Sequence, residues 1–439
     1  MSDFLFARSQ MAMSLAFHIV FAALGIGMPL LMVLAEGAYL RTRNPVYLEL
    51  SKRWAKGTAI LFAVGAVSGT VLSFELGLLW PRFMAEAGAI IGMPFSLEGF
   101  AFFTEAIFIG VYLYGRTRLS PLLHWLAGVV VAASGVLSGI FVVAANAWMN
   151  APAGFTFAGG RFTGIDPVAA MLNPATLHEV LHMTLAAFVA TGFAVAGVHA
   201  FYLLRTPASP FHRCALGLAL GLAGVCIPLQ VASGDLSARV VGRFQPAKLA
   251  AMEALYRTQE NAPLILGGIP DDGARMTRLG LTIPRGLSLL LGDSPGTRVT
   301  GLEAFPRANW PDVRIVHWSF DLMVACGFAM LAVAGWSVWL WLRRRRLAEH
   351  RRFLRALVAA GPLGFLAIEA GWVVTEVGRQ PWIIYGVMRT REAVTPVHGI
   401  AVPFAVFTGL YAFLGVAVFS LLRGQFRETA GTVSTTPPA

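Results

Sequence analysis

Seven ionisable side chains inside long apolar stretches of this sequence are taken as functional candidates, because a charge there costs several kcal/mol. They are two histidines and five carboxylates: His18, Glu75, Glu98, Glu105, His182, Asp321 and Glu369. Imidazole and carboxylate groups in apolar surroundings can bind a metal or pass protons. The chemistry alone therefore indicates a redox or proton-handling protein.

The donor types narrow what such a site could hold. Imidazole, carboxylate and thioether groups suit haem iron, whereas zinc favours clusters of His and Cys, and the three cysteines form no CxxC pair. Met323 lies two residues after Asp321. A His and Met pair would hold a low-spin haem, and a lone His or Glu would leave one iron position open. Met is also a common core residue, and a buried His or Glu75 can be purely structural, so ligand identity stays open.

Glu98 and Glu105 are seven residues apart in one apolar stretch. On a helix they share one face, separated by about 10 Å of helical rise. A proton could pass between the two carboxylates over this distance through an intervening water.

The composition decides the environment of these residues. Of 439 residues, 56% are hydrophobic and 13% are charged, with a mean hydropathy of +0.67. A soluble domain carries about a quarter charged residues. The sequence therefore predicts an all-α integral membrane protein and excludes a soluble or disordered one.

Nine apolar runs are long enough to cross about 30 Å of hydrocarbon. They are residues 12–40, 55–80, 95–115, 122–149, 178–204, 214–234, 317–342, 353–376 and 396–422. The first run is too long for a signal-peptide core and is expected to remain as a membrane anchor. The predicted organisation is helices 1–6 in residues 1–234, an external loop at 235–316, helices 7–9 in 317–422, and a disordered cytoplasmic tail at 423–439.

Basic residues alternate between the two sets of short loops. Eighteen Lys and Arg fall on the side of the C-terminus, including Arg343 to Arg346, and six fall on the other side. The positive-inside rule then places the N-terminus outside and the C-terminus in the cytoplasm. This distribution accounts for the net charge of +11 without nucleic acid. It also places His18, Glu98, His182, Asp321 and Glu369 toward the outer leaflet, as expected for one shared site.

Several strings carrying these residues resemble subunit I of the cytochrome bd type quinol oxidases, nearly end to end. The most specific is GRQPW (Gly378 to Trp382) after EAGW (Glu369 to Trp372). The others are FARSQMAMSLAFHIVFAALGIGMPLLM, SGTVLSFELGLLWPRF, EGFAFFTEAIFIG, ANAWMNAP, LHMTLAAFVATG, KLAAMEA and LMVACGF.

The resemblance implies roles for the matching residues. His182 and Met323 would be the axial ligands of a low-spin b haem. His18 and Glu369 would each serve one of two high-spin haems, a b haem and a haem d. Glu98 would lie beside the oxygen-binding haem with Glu105 next on its proton route. The external loop would be the family's quinol-binding Q-loop, in which Lys248 and Glu253 match the pair implicated in quinol oxidation.

The implied function is a terminal oxidase of the bacterial cytoplasmic (inner) membrane. It would oxidise quinol, reduce O2 to water, and build a membrane potential without pumping. It would work with a subunit II and a possible small single-span subunit. Two alternatives stay open from the residues: a haem-bearing electron-transfer anchor and a secondary transporter.

The sequence also departs from the family pattern. Asp321 stands where well-known members carry Arg, and one residue fewer separates Glu98 from Glu105. The Q-loop is short, which resembles the branch that includes cyanide-insensitive oxidases. In that branch the third haem is d or b.

Overall fold

The computed structural model describes residues 2–433. Within them, nine helical segments are long and apolar enough to cross a membrane, which confirms the predicted all-α membrane fold. The fourteen helices, in chain order, are α1 (Asp3–Thr42), α2 (Pro45–Leu79), α3 (Pro81–Tyr114), α4 (Pro121–Asn150), α5 (Pro167–Met171), α6 (Thr176–Leu203), α7 (Pro210–Phe244), α8 (Pro246–Met252), α9 (Gly286–Gly292), α10 (Val313–Leu342), α11 (Arg351–Ala360), α12 (Leu363–Gly378), α13 (Thr390–Ala393) and α14 (Ala401–Val433). The spans are α1, α2, α3, α4, α6, α7, α10, α11 with α12, and α14.

Local sequence explains where several spans begin. Proline is the first residue of α2, α3, α4 and α7, where its missing N–H costs no helical hydrogen bond. Asn44, Ser120 and Ser209 precede three of these prolines, and each side chain accepts a backbone N–H of the first turn.

Helix ends differ from the predicted spans. The helix α7 continues to Phe244, ten residues into the predicted loop. Its last turns are polar but are fastened by Arg239, which donates to Asp235 one turn earlier at 3.0 Å and to Asp293 at 2.8 Å. Hydropathy marks only the part of a helix that lipid covers, so it misses such turns. Likewise α14 runs to Val433, past the predicted tail boundary at 423, and residues 434–439 of that tail lie outside the described part of the chain.

The segment between α7 and α10 is folded. Besides α8 and α9 it contains two antiparallel strand pairs, β3 (Leu264–Leu266) with β6 (Leu281–Ile283) and β4 (Ile269–Asp271) with β5 (Met276–Arg278). A small core of Leu249, Leu255, Ala262, Leu287 and Val299 holds it together. The eight strands, in chain order, are β1 (Thr156–Ala158), β2 (Arg161–Thr163), β3 (Leu264–Leu266), β4 (Ile269–Asp271), β5 (Met276–Arg278), β6 (Leu281–Ile283), β7 (Trp382–Ile384) and β8 (Met388–Arg389).

The spans pack as antiparallel neighbours, α1 with α2, α3 with α4, α6 with α7, and α10 with α12. The helix α1 also contacts α4, α6, α12 and α14. Near its middle, Ala23 and Ile26 pack with Ala187 of α6, and Ile368 of α12 lies against them. This junction brings α1, α6 and α12 together, the helices that carry three of the predicted haem ligands.

Candidate functional site

His18 is positioned by a serine on the neighbouring helix. Its Nδ1 lies 2.9 Å from Ser68 Oγ, and that hydroxyl donates to the carbonyl oxygen of Val64 at 2.9 Å. Because the serine proton is already used, the serine oxygen accepts the N–H of the ring. The Nε2 of His18 is thereby left unprotonated, the state in which imidazole binds a metal.

His182 is held in the same way. Its Nδ1 lies 2.9 Å from Ser233 Oγ, which donates to the carbonyl oxygen of Gln230 at 2.8 Å. The unprotonated Nε2 accepts from Gln230 Nε2 at 3.1 Å. Two histidines of the predicted ligand set therefore share one orienting device, a serine one helix away.

Met323 and Glu369 project from the packed pair α10 and α12. A Cβ placed on Gly371 of α12 would lie 3.0 Å from Met323 Sδ, so the absence of a side chain there makes room for the thioether. The Oε1 of Glu369 is buried without a hydrogen-bond partner. An orphaned buried carboxylate oxygen is costly unless a ligand or water satisfies it.

These donors fit haem better than a bare metal ion. Among residues 2–433, no group of three His, Cys, Asp or Glu side chains could hold a metal. Haem supplies four ring nitrogens and needs only one or two protein ligands. An unprotonated Nε2 on His18, another on His182, and the unpartnered oxygen of Glu369 meet that need.

Glu98 and Glu105 line the contact between α3 and α4. Ser138 Oγ of α4 donates to Glu98 Oε1 at 3.1 Å. A Cβ on Gly135 would lie 3.4 Å from Glu105 Oε1. Since Gly135 and Ser138 are three residues apart on one face of α4, both carboxylates lie along the same side of the helix pair.

Lys248 of α8 enters a hydrogen-bond network centred on Asn150, the last residue of α4. Asn150 Oδ1 accepts from Lys248 Nζ at 3.0 Å, Gln245 Nε2 at 3.2 Å and Arg379 Nη1 at 3.2 Å. The lysine is 4% exposed. Burial lowers its pKa, as does the nearby charge of Arg379. A Cβ on Gly378 would lie 2.8 Å from Lys248 Cγ, so the glycine of GRQPW admits the lysine stem.

The other half of this network carries two carboxylates. Asn150 Nδ2 donates to Glu179 Oε1 at 2.9 Å and to Asn146 Oδ1 at 3.1 Å, and Asn146 Nδ2 donates to Glu376 Oε1 at 2.7 Å. Arg379 Nη2 donates to Glu376 Oε2 at 2.5 Å. The sequence did not assign these residues a role. Glu179 and Glu376 stand at the ends of the predicted spans, where a charge gives no signal.

Glu253, at the C-terminal end of α8, has different surroundings. It is 1% exposed, and both of its carboxylate oxygens are buried without a partner. Burial and the charge of Asp321 raise its pKa to about 8. Lys248 thus lies near the start of α8 and Glu253 directly after its end, and the described hydrogen bonds give them no common partner.

Asp321 and its neighbour His317 fasten the loop to α10. Asp321 Oδ2 accepts from the backbone N–H of Gly267 at 2.6 Å. His317 Nδ1 lies 2.7 Å from Met252 O, and its Nε2 lies 2.9 Å from Gly267 O. Two distant parts of the loop are therefore tied to one helical turn.

Glu75 is also bonded between helices. Gln10 Nε2 of α1 donates to Glu75 Oε1 at 3.0 Å, and the carboxylate is fully buried. This contact joins α1 to α2, and the other carboxylate oxygen, Oε2, is buried without a hydrogen-bond partner.

Comparison with known proteins places the chain and its fold in one family. The family model for cytochrome bd terminal oxidase subunit I matches residues 6–430. A Bacillus subtilis (strain 168) protein, provisionally named cytochrome bd menaquinol oxidase subunit I, is 37% identical over 98% of this chain and 97% of its own. The cytochrome bd ubiquinol oxidase subunit 1 of the same organism is 33% identical over 98% and 95%.

A solved structure is similar along its whole length. The bd oxidase from Geobacillus thermodenitrificans superposes with a TM-score of 0.92 at 37% identity, covering 97% of this chain and 99% of the other. The chain therefore belongs to the cytochrome bd terminal oxidase subunit I family, the quinol-oxidising, haem-containing terminal respiratory oxidases of the bacterial cytoplasmic (inner) membrane.

Proposed function

We propose that this chain oxidises membrane quinol at the α7–α10 loop and reduces O2 to water at haems held near the outer end of the bundle. The observation that carries this proposal is the shared device at His18 and His182, where a serine leaves each Nε2 unprotonated. Family membership favours the oxidase over an electron-transfer anchor or a transporter.

Four residues would hold three haems. His182 and Met323 would bind the low-spin b haem from α6 and α10. His18 and Glu369 would each bind one high-spin haem, of which one is b-type and the other is haem d or a further b haem. Bound haem would supply the electron transfer and O2 chemistry that protein side chains lack.

Lys248 and Glu253 would act on the two hydroxyls of quinol. The lowered pKa of Lys248 gives it a neutral amine fraction that can accept a proton near neutral pH. Glu253 is protonated at that pH, and its unpartnered oxygens are free to hydrogen-bond a quinol oxygen. The Asn150 network would fix the amine in place. The quinol is ubiquinol or menaquinol.

Glu98 and Glu105 would deliver the protons that O2 reduction consumes. Quinol would release protons outside, and the consumed protons would come from the cytoplasm through α3 and α4. Each charge carried across the membrane stores about 2.3 kcal/mol per 100 mV, so a potential arises without pumping.

Subunit I of this family pairs with a subunit II, and we propose that this chain does so, with a possible small single-span subunit. The lipid bilayer surrounds the remaining surface. The arrangement requires no nucleic acid.

Spectra of the purified complex test this proposal. We expect reduced-minus-oxidised and CO-difference spectra to show a low-spin b haem and a CO-binding haem, with pyridine haemochrome extraction giving the third haem type. His182→Ala and Met323→Ala should each remove the low-spin signal from a protein that still inserts. An unchanged spectrum in both variants would overturn the ligand assignment, and a colourless complex would overturn the proposed function.

A further inference from the structure

A second buried polar cluster joins α1, α3 and α4 near the arginine-rich end of the bundle. Glu36 is 3% exposed, and its Oε2 accepts from Tyr112 OH at 2.5 Å. Its Oε1 lies 2.7 Å from His124 Nδ1 and accepts from Arg116 Nη1 at 3.4 Å. The Arg116 side chain is 26% exposed, so the cluster reaches the surface at that end.

The geometry of this cluster provides a proton that His124 and Glu36 can exchange. His124 Nδ1 faces the Glu36 carboxylate, and His124 Nε2 lies 2.9 Å from the carbonyl oxygen of Tyr112. The carbonyl oxygen can only accept, so Nε2–H donates to it, and the proton between Nδ1 and the Glu36 carboxyl can lie on either partner. The imidazole and the carboxyl group are in direct contact and are 2% and 3% exposed respectively.

Helical spacing continues from this cluster to the two carboxylates proposed for proton delivery. Glu98, Glu105 and Tyr112 recur every seven residues on α3, so they share one face in steps of about 10 Å. Each step is a distance that a few waters could span.

The helix α4 presents a matching face. His124 bonds Glu36, Ser138 bonds Glu98, and Gly135 lies beside Glu105. Gly128, one turn from His124, would place a Cβ 2.8 Å from the ring of Tyr112. The same stripe of α4 therefore contacts every polar residue of the α3 face.

A purely structural role explains this cluster less well. Burying an ion pair costs desolvation that its attraction barely repays, and apolar residues would join three helices at least as firmly. A charged group retained inside a membrane bundle is more often part of an ion or proton route.

We propose that Glu36 and His124 form the cytoplasmic entrance of the proton route, with Tyr112 as the link toward Glu105 and then Glu98. This proposal rests on the proposed function. Each O2 takes four electrons from two quinols and four protons from this route to give two waters. A proton from the arginine-rich end replaces the one that His124 or Glu36 passes inward, so the cluster returns to its loaded state.

The test uses the complete complex in proteoliposomes. Glu36→Gln keeps one acceptor oxygen for Tyr112, but its amide can neither carry the charge nor take up a proton. The matched control is Glu349→Gln, an exposed carboxylate at the same end that pairs with Arg346. We expect Glu36→Gln to slow proton uptake, followed with a pH-sensitive dye, and O2 consumption by about tenfold or more. Haem content and anaerobic haem reduction by quinol should match the control.

The outcomes separate the two proposals. If Glu36→Gln matches Glu349→Gln in proton uptake while Glu105→Gln slows it, the entrance assignment is overturned and the proposed function stands. A wild-type complex that does not oxidise quinol overturns the proposed function itself. If Glu36→Gln loses haem, Tyr112→Phe decides, because it keeps the ring against Gly128. Slowed uptake at full haem content supports the route, and uptake like that of the control overturns it.

Discussion

The two ends of α8 carry the two residues of the predicted quinol site, and their surroundings differ. Lys248, near its start, is held in a network in which Asn150 accepts from three donors. Glu253, at its end, is as deeply buried but has no hydrogen-bond partner. A network whose polar groups are all hydrogen-bonded holds each group in one position. A buried carboxyl group without a partner can instead hydrogen-bond a ligand. The pair therefore divides into a positioned base and an open binding group.

The largest effect should come from removing the positioned base. Lys248→Met keeps the length of the stem across Gly378 but removes the amine. We expect quinol-driven O2 consumption to fall by about a hundredfold, the usual contribution of a general base. Reduction of the haems by an artificial donor should be unaffected. Equal loss with both electron donors would contradict a role in quinol oxidation.

A substitution of Asn150, the residue at the centre of the network, tests whether the network positions Lys248. Asn150→Leu leaves Lys248 without its described acceptor and Arg379 with Glu376 alone, and an unsatisfied buried polar group costs about 1–3 kcal/mol. We expect a lower thermal midpoint and a raised KM for quinol, measured on the purified complex. Asn173→Leu is the control, because this buried asparagine bonds only backbone atoms outside the network, and its loss should leave the KM unchanged. A variant as stable and active as the wild type would show that the network positions nothing.

Glu253 should make the stability of the folded protein depend on pH. Its pKa is raised from 4.5 to about 8, so between these values the folded protein holds a proton that the unfolded chain has lost. Stability must then fall as pH rises through this window, because unfolding releases the proton. Glu253→Gln removes this dependence, and its thermal midpoint should drop less than the wild-type midpoint between pH 5 and pH 8 (about the limits of the window). Parallel pH curves would contradict the buried, unpaired environment.

The smallest effect is expected at Asp321, the charge beside Glu253. Asp321→Asn can still accept from Gly267 N–H but carries no charge. The pKa of Glu253 should therefore fall, although burial, the larger cause, continues to hold it above its ordinary value. We expect the alkaline limb of the quinol oxidation profile to move to lower pH, measured by O2 consumption across the pH range. In a Glu253→Gln background the shift should vanish, and its persistence there would assign the limb to another group.

Much of the fold could be predicted from the pattern of apolar residues along the sequence. The nine apolar runs located all nine spans found in residues 2–433, because lipid forces each run to be long and continuous. Their ends were less predictable. The helix α7 outruns its apolar segment by ten residues, since Arg239 and Asp235 extend it by hydrogen bonds that hydropathy does not register.

The candidate site was predictable only in its most unusual members. A carboxylate or histidine in an apolar run is visible in the sequence, so His18, Glu98, His182 and Glu369 could be named. Ser68 and Ser233 could not, because a serine in a span is common and its importance depends on which ring it faces.

The sequence by itself determined that this chain spans a membrane and that its spans carry the donors for haem and proton chemistry, because burial in lipid makes every such residue costly and therefore conspicuous. Only the tertiary structure decided which nitrogen of His18 and of His182 is unprotonated, that Lys248 bonds Asn150 while Glu253 has no partner, and that Glu36 of α1 contacts His124 of α4. These facts depend on contacts between helices far apart in the chain. A residue's spacing along its own helix fixes its face but not its partner.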